Sequence, residues 1–266
     1  MNFTTNLIND LLSIAEEAKQ KILEIYISTE SDWELEFKKD LSPLTKADIA
    51  SNTIINKRLK EINKNIPIIS EENKEVVYAD RRKFEYYWLV DPLDGTKEFI
   101  KRNGEFTINI ALIHKNHCVF GITSIPCQQK LYYAISGQGA FKLKMGSLPE
   151  RIFATEFSTD DDNLVIALSR SHMNQETLDF VALYPKAKHM IAGSALKFML
   201  VAEGIAHIYP RFGRTMEWDS AASQIIVEEA GGKVVHAYTG KQLEYNKEDL
   251  ANEGFIVFGK CLDKIF

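Results

Sequence analysis

A chain of 266 residues that is 45% apolar and includes 15 Phe, 10 Tyr and 3 Trp is long and bulky enough to bury one large core or two packed ones. Its 32 basic and 37 acidic residues give a formal charge of −5, without the basic surplus of a nucleic-acid binder, and the composition excludes a disordered protein. Cys118, Cys127 and Cys261 have no metal-ligand spacing and are odd in number, which argues against a disulfide framework and for a reducing, cytoplasmic setting. The acidic first thirty residues are read as carrying no secretory leader. No apolar run approaches the roughly 20 residues of a membrane span, and a peripheral inner-membrane association is left open.

Residues 5–27 form an amphipathic helix by spacing, with Leu7, Leu11, Ala15, Ala18, Ile22 and Ile25 on one face. Trp33, Leu35 and Phe37 alternate with acids, as in a short strand. A second helix is predicted from Thr45 to Ile62, with Ile49, Ile55, Leu59 and Ile62 as its apolar members. Ile66 to Ile69 read as a short strand ending at Ser70-Glu71-Glu72. Tyr86-Tyr87-Trp88-Leu89-Val90 is bulky and uncharged, a strand buried on both faces, expected to stop at Asp91-Pro92. Residues 106–144 carry four apolar runs separated by turn residues, an antiparallel meander. Beyond residue 164, strands at Leu164–Leu168, Lys188–Ile191, Ala206–Tyr209 and Lys233–Ala237 alternate with helices at 174–183, 194–203 and 218–230, the last capped by Gly231-Gly232. A weak boundary near 145–162, around Met145-Gly146-Ser147, divides an α/β chain with α+β layering into two packed subdomains: residues 1–150, with the meander, and 151–266.

The chemistry centres on Asp91-Pro92-Leu93-Asp94-Gly95-Thr96. Pro92 cannot donate to a ladder, and Gly95 permits a tight turn. Two carboxylates at the end of a buried strand repel each other and lose solvation, so they protonate or take up a cation. Hard oxygen ligands, with the Leu93 carbonyl between them, select Mg²⁺ or a similar ion. By itself the hexapeptide is open between a metal site and an Asp-rich turn with a helix cap. Glu71, Glu72, Asp48 and Asp219 also stand at element ends, where each alone could be a cap or a surface acid. Together they supply what a cluster of two or three Mg²⁺ ions requires.

Glu71-Glu72, then Trp88 to Thr96, then Trp218-Asp219-Ser220-Ala221-Ala222 resemble, in order, the motifs of the inositol-monophosphatase-like, lithium-sensitive phosphatase superfamily. Lys97-Glu98-Phe99-Ile100, Ser169-Arg170-Ser171-His172, Gly193 to Phe198 and Tyr209-Pro210-Arg211-Phe212-Gly213 are similar to its bacterial 3′(2′),5′-bisphosphate nucleotidases of the CysQ type. The resemblance implies alternating layers of helices and sheets, and a small bisphosphate nucleotide as substrate, 3′-phosphoadenosine 5′-phosphate, with no nucleic-acid partner and no integral membrane segment. It implies Glu71, Asp91, the Leu93 carbonyl, Asp94 and Asp219 as metal ligands. Thr96 and Asp48 would direct the attacking water, with Glu71 also catalytic. Gly95 and Thr96 amides, His172, Ser194, Lys197, Arg211 and Asp219 would hold the substrate. Ala195, where Ser is frequent, and the charged run Arg214-Thr215-Met216-Glu217 depart from the pattern and bear on substrate preference.

The expected reaction is in-line attack by a metal-activated water, without a covalent phosphoenzyme. No cysteine has an Arg six residues on, the acids are spaced Asp-x-x-Asp and not Asp-x-Asp, and there is no Walker loop or His-Glu-x-x-His. Two rivals remain at this level: a sibling enzyme acting on inositol monophosphate or fructose 1,6-bisphosphate, and a non-catalytic, metal-dependent nucleotide sensor.

Overall fold

The computed structural model describes residues 2–29, 33–38, 42–144 and 146–263; Met145, at the expected boundary, lies outside them. Helix α1 (Thr5–Tyr26) starts at Thr4, whose hydroxyl accepts the Leu7 N–H at 3.3 Å, and its buried stripe includes Leu11, Ala15, Ala18 and Ile22. Trp33 is buried, its indole N–H donating to the Ile25 carbonyl at 2.9 Å. The strand expected at Trp33–Phe37 is therefore reduced to β1 (Glu36–Phe37), paired with β2 (Pro43–Leu44), and Leu35 and Phe37 are exposed. Helix α2 (Lys46–Ile62) buries Ala47, Ser51, Ile55 and Leu59 at four-residue steps. Ile49, expected on that face, is 51% exposed, because it stands roughly 200° around the helix from Ala47.

The first sheet has seven strands in sequence order: β3 (Ile68–Ser70), β4 (Tyr86–Asp94), β5 (Thr107–His114), β6 (His117–Ile125), β7 (Lys130–Ile135), β8 (Gly139–Lys144) and β9 (Glu150–Ile152). β3 is parallel to β4 and every other pair is antiparallel, so the expected meander is present. Short helices α3 (Tyr78–Arg81) and α4 (Thr96–Ile100) flank β4. After β10 (Glu156–Phe157) come β11 (Val165–Ser169), α5 (Gln175–Ala182), β12 (Lys188–Ala192), α6 (Leu196–Ala202) and β13 (Ile208–Arg211). They are followed by β14 (Thr215–Met216), α7 (Glu217–Glu229), β15 (Lys233–His236), β16 (Ala251–Asn252), β17 (Phe255–Phe258) and β18 (Lys260–Cys261). The second sheet has the order β12-β11-β13-β17-β15, with β12, β11 and β13 parallel and β17 antiparallel to both its neighbours. The pattern reading missed β17. It is only four residues long, although its uninterrupted Phe255-Ile256-Val257-Phe258 between Gly254 and Gly259 was a usable signal.

The layers alternate. One face of the first sheet, with Trp88, Val90, Ile108 and Ile110, packs on α1 and α2. The other, with Tyr87, Leu89 and Ala111, meets Ala221 and Ala222 of α7. α6 and α7 fill the space between the sheets, and α5 closes the far face of the second through Val181. The approach of α7 is close: a Cβ on Gly121 of β6 would come within 2.6 Å of the Ala222 carbonyl oxygen. Among the described residues no helix is long and apolar enough to cross a membrane.

Candidate active site

β4 does not stop at Asp91-Pro92. It continues to Asp94, and its register against β5 slips by one: Asp91 faces Asn109 and Asp94 faces Thr107. Three steps on β4 thus match two on β5, a β-bulge. Side chains alternate along a strand, so residues three apart normally face opposite sides. The extra residue cancels that alternation. Asp91 and Asp94 end on the same face as Thr107 and Asn109, while Leu93 joins the core on the α1–α2 side. Pro92 costs no ladder bond at a bulge, and its carbonyl accepts the buried Ser51 hydroxyl at 2.7 Å, which ties the bulge to α2. Gly95 then turns the chain into α4 with φ +91°, where an added Cβ would come within 3.1 Å of the Glu105 carbonyl oxygen.

The remaining acids come from neighbouring element ends. The Glu71 amide donates to the Val90 carbonyl at 3.1 Å, which sets Glu71 beside the β4 acids. Asp219, in the first turn of α7, accepts the Met216 N–H at 2.8 Å. Glu71, Asp91, Asp94 and Asp219 line one cleft of about 290 Å³. Burial raises the pKa of all four. For Asp91 and Asp219 it acts together with the charges of the other acids and carries them well above the carboxylate range. Asp94 is partly relieved by the Ser194 hydroxyl, at 2.5 Å, and Glu71 by the Lys38 ammonium, at 2.7 Å.

A cluster of carboxylates, Asp91 buried and Glu71, Asp94 and Asp219 half-buried, beside the Leu93 carbonyl is a hard-oxygen donor set, and its chemistry fits a divalent cation such as Mg²⁺. Among the described residues no three Asp, Glu, His or Cys side chains are already disposed around a common ion. Lys38 engages one oxygen of Glu71, and the Ser194 and Thr107 hydroxyls donate to Oδ2 of Asp94, so each carboxylate keeps lone pairs for a cation.

Asp48 lies behind this wall, not in it. One of its oxygens accepts the Thr45 N–H at 2.8 Å and the Thr45 hydroxyl at 2.5 Å, as a capping-box carboxylate of α2. The other accepts the Thr96 hydroxyl at 3.0 Å. Burial pushes the Asp48 carboxyl up to about 6, against the lowering effect of these hydrogen bonds. Cap and site partner are therefore one residue.

Every other predicted site residue lines the cleft. His172, Ser194 and Arg211 follow or end β11, β12 and β13, and Lys197 is on α6. Ser194 holds φ +49° and bonds both Asp94 and the Thr107 hydroxyl, the latter at 2.6 Å. Lys197 is 3% exposed. Its ammonium donates to the Ala192 and Ser194 carbonyls at 3.1 and 2.7 Å and lies 5.1 Å from the centre of the Tyr209 ring. Burial pulls its pKa down to about 8, against the pull of Asp94. Burial also lowers His172, helped by the Arg211 and Lys97 charges. Arg211 donates to the His172 carbonyl at 3.3 Å, and its buried Nε has no partner among the described residues. Residues without a role in the sequence reading also meet here. Tyr209 lies beneath Lys197, and the Ser171 hydroxyl bonds the buried Glu98 carboxylate at 2.5 Å. Ser171, Glu98 and Tyr209 fell inside quoted motifs; Thr107 carried no signal, since only the β4–β5 register puts it opposite Asp94.

Residues 6–259 match the inositol monophosphatase family. The chain is 40% identical to the 3′(2′),5′-bisphosphate nucleotidase CysQ of Salmonella typhimurium over 252 residues, 94% of this chain and 99% of that one. It superposes on the crystal structure of CysQ from Bacteroides thetaiotaomicron with a TM-score of 0.84 and 40% identity, covering 97% of this chain and 98% of that one. The extragenic suppressor protein suhB of Bartonella henselae, 23% identical, shares the fold at a TM-score of 0.79 over 96% and 95% of the two chains. The resemblance read from the motifs and the layered architecture both hold: the chain belongs to the inositol monophosphatase family, with CysQ proteins among its relatives.

Proposed function

We propose that this protein is a Mg²⁺-dependent phosphatase that removes the 3′-phosphate of adenosine 3′,5′-bisphosphate, and of its phosphosulfate, leaving a 5′-nucleotide and inorganic phosphate. The observation that carries the reading is the bulge at Pro92-Leu93, which turns Asp91 and Asp94 to one face, in the same cleft as Glu71, Asp219 and Thr96, with Asp48 behind the wall and bonded to the Thr96 hydroxyl. The 40% identity to CysQ favours a nucleotide over inositol monophosphate as substrate.

Glu71, Asp91, the Leu93 carbonyl, Asp94 and Asp219 would hold Mg²⁺, two or three ions. When bound, the metal would supply charge neutralisation for the phosphate and a more acidic water. The chain's own contribution is orientation. The Thr96 hydroxyl donates to Asp48, so its lone pair is left to accept a hydrogen bond from an attacking water and aim it. Across the cleft, Lys197 and Arg211 offer cationic donors to phosphate oxygens, Arg211 in a bidentate fork. Thr96, Ser194 and His172 complete a polar lining.

The test is phosphate release from adenosine 3′,5′-bisphosphate, inositol monophosphate and fructose 1,6-bisphosphate, with and without Mg²⁺ and lithium. Mg²⁺-dependent turnover of the bisphosphate nucleotide, inhibited by lithium, is the expected result. Preference for inositol phosphate would overturn the substrate, and nucleotide binding without turnover would make the protein a sensor.

A further inference from the structure

Glu217, the first residue of α7, is fully buried, yet it does not line the cleft. Its charge was the departure noted in the Arg214–Glu217 run, and it has left the substrate space. A buried carboxylate needs donors on its oxygens. One Glu217 oxygen accepts the Asn246 N–H at 2.7 Å; the other accepts the Lys247 N–H at 3.1 Å and the Lys247 ammonium at 2.6 Å. The Glu217 amide donates in turn to the Leu250 carbonyl at 2.8 Å. The segment gripped in this way, residues 246–250, has no helix or strand of its own, and Asn246 holds φ +67°. The buried Arg81 clamps its other side, reaching Asn246 Oδ1 at 2.9 Å and the Lys247 and Glu248 carbonyls at 2.6 and 2.7 Å.

The segment runs directly into β16, where Asn252 pairs with Thr215 and Ala251 with Met216. Asp249 meets Arg214 at 3.3 Å, and buried Asn252 donates to the Ser220 hydroxyl at 3.0 Å. Arg214, Thr215 and Met216 form one wall of the cleft, and the Met216 N–H is the hydrogen bond that fixes Asp219. We infer that Glu217 is a positioning residue: its carboxylate seats residues 246–250, and through β16 and β14 this sets the Arg214–Met216 wall and the orientation of Asp219. It touches no reacting atom. The kinetic part of this inference rests on the phosphatase reading above.

Glu217→Gln keeps the volume but turns an amide NH₂ toward a donor, leaving that donor unpaired. In the full-length protein, amide hydrogen exchange is expected to accelerate at least tenfold over residues 214–219 and 246–252, with β5 and β6 unchanged. kcat/KM for adenosine 3′,5′-bisphosphate should fall at least tenfold, with a matching rise in the Mg²⁺ concentration for half-maximal rate. Uniform acceleration of exchange, or wild-type exchange with wild-type Mg²⁺ response, would overturn the inference. Should Glu217→Gln not fold, Lys247→Met decides, since both backbone amides stay on Glu217. Local acceleration at 214–219 supports the role, and wild-type exchange there ends it. If the unaltered protein turns over no bisphosphate, the phosphatase reading fails, while the exchange pattern still decides the role of Glu217.

Discussion

The acidic and the cationic walls of the cleft are built by different rules. The acidic wall depends on a defect: Asp91 and Asp94 share a face only because β4 carries one residue more than β5 between them. The cationic wall uses the regular geometry of the second sheet. β11, β12 and β13 are parallel, so their carboxyl ends open on one side, and His172, Ser194 and Arg211 arrive there together. Antiparallel neighbours such as β4 and β5 share no carboxyl edge, and here a bulge gathers their functional groups, while Glu71 arrives from β3, the one strand parallel to β4. The walls also differ in electrostatic state: burial and mutual repulsion hold the acids toward protonation, whereas burial strips Lys197 of part of its hold on a proton.

If the acidic wall carries the chemistry, Asp94→Asn should lower kcat roughly 10³-fold, the scale of losing a group that stabilises transition-state charge. The ionised Asp94 costs the folded state stability at neutral pH, because its folded pKa is raised and protonation is what would relieve it. The Tm of the metal-free variant should therefore hold or rise, as differential scanning calorimetry would record; full activity would remove Asp94 from the site. Next in size is Thr96→Val, which keeps the shape and deletes the hydroxyl bonded to Asp48. A fall in kcat of about 10²-fold with little change in KM is expected in steady-state kinetics.

The cationic wall should act on binding. Lys197→Met is expected to raise KM about tenfold, with kcat changed less than about threefold. Since the Lys197 pKa is lowered to about 8, the ammonium is lost on raising pH through that value, where an ordinary lysine would keep it. The KM of the unaltered protein should climb severalfold between pH 7.5 and 9, an effect of order set by losing one charged contact, and the variant should show no such climb. A kcat effect equal to the KM effect would blur the division between the walls.

How much of this was legible follows the same division. The acids were readable as a set: each alone could be a turn or a cap, but several at element ends, two of them after the buried run Tyr86–Val90, point to a cation. The bulge was not, since register belongs to two strands and Pro92 alone only hinted at a break. On α2 the charge at Asp48 was visible, but the buried stripe was misread through Ile49. The helix face is chosen by small residues, Ala47 and Ser51, that let it approach β4, and by Asp48 reaching Thr96. Glu217 and Arg81 could be located but not interpreted, because their partners lie roughly 30 and 165 residues away in a segment with no periodicity.

The bulge has one more implication. Copied into a perfectly regular hairpin, the same six amino acids would aim one carboxylate inward and the other into oil, so the motif's letters are not sufficient to transmit its activity. What must be inherited along with them is a mismatch in length between two neighbouring strands, which makes a single-codon deletion here as consequential as losing an acid outright.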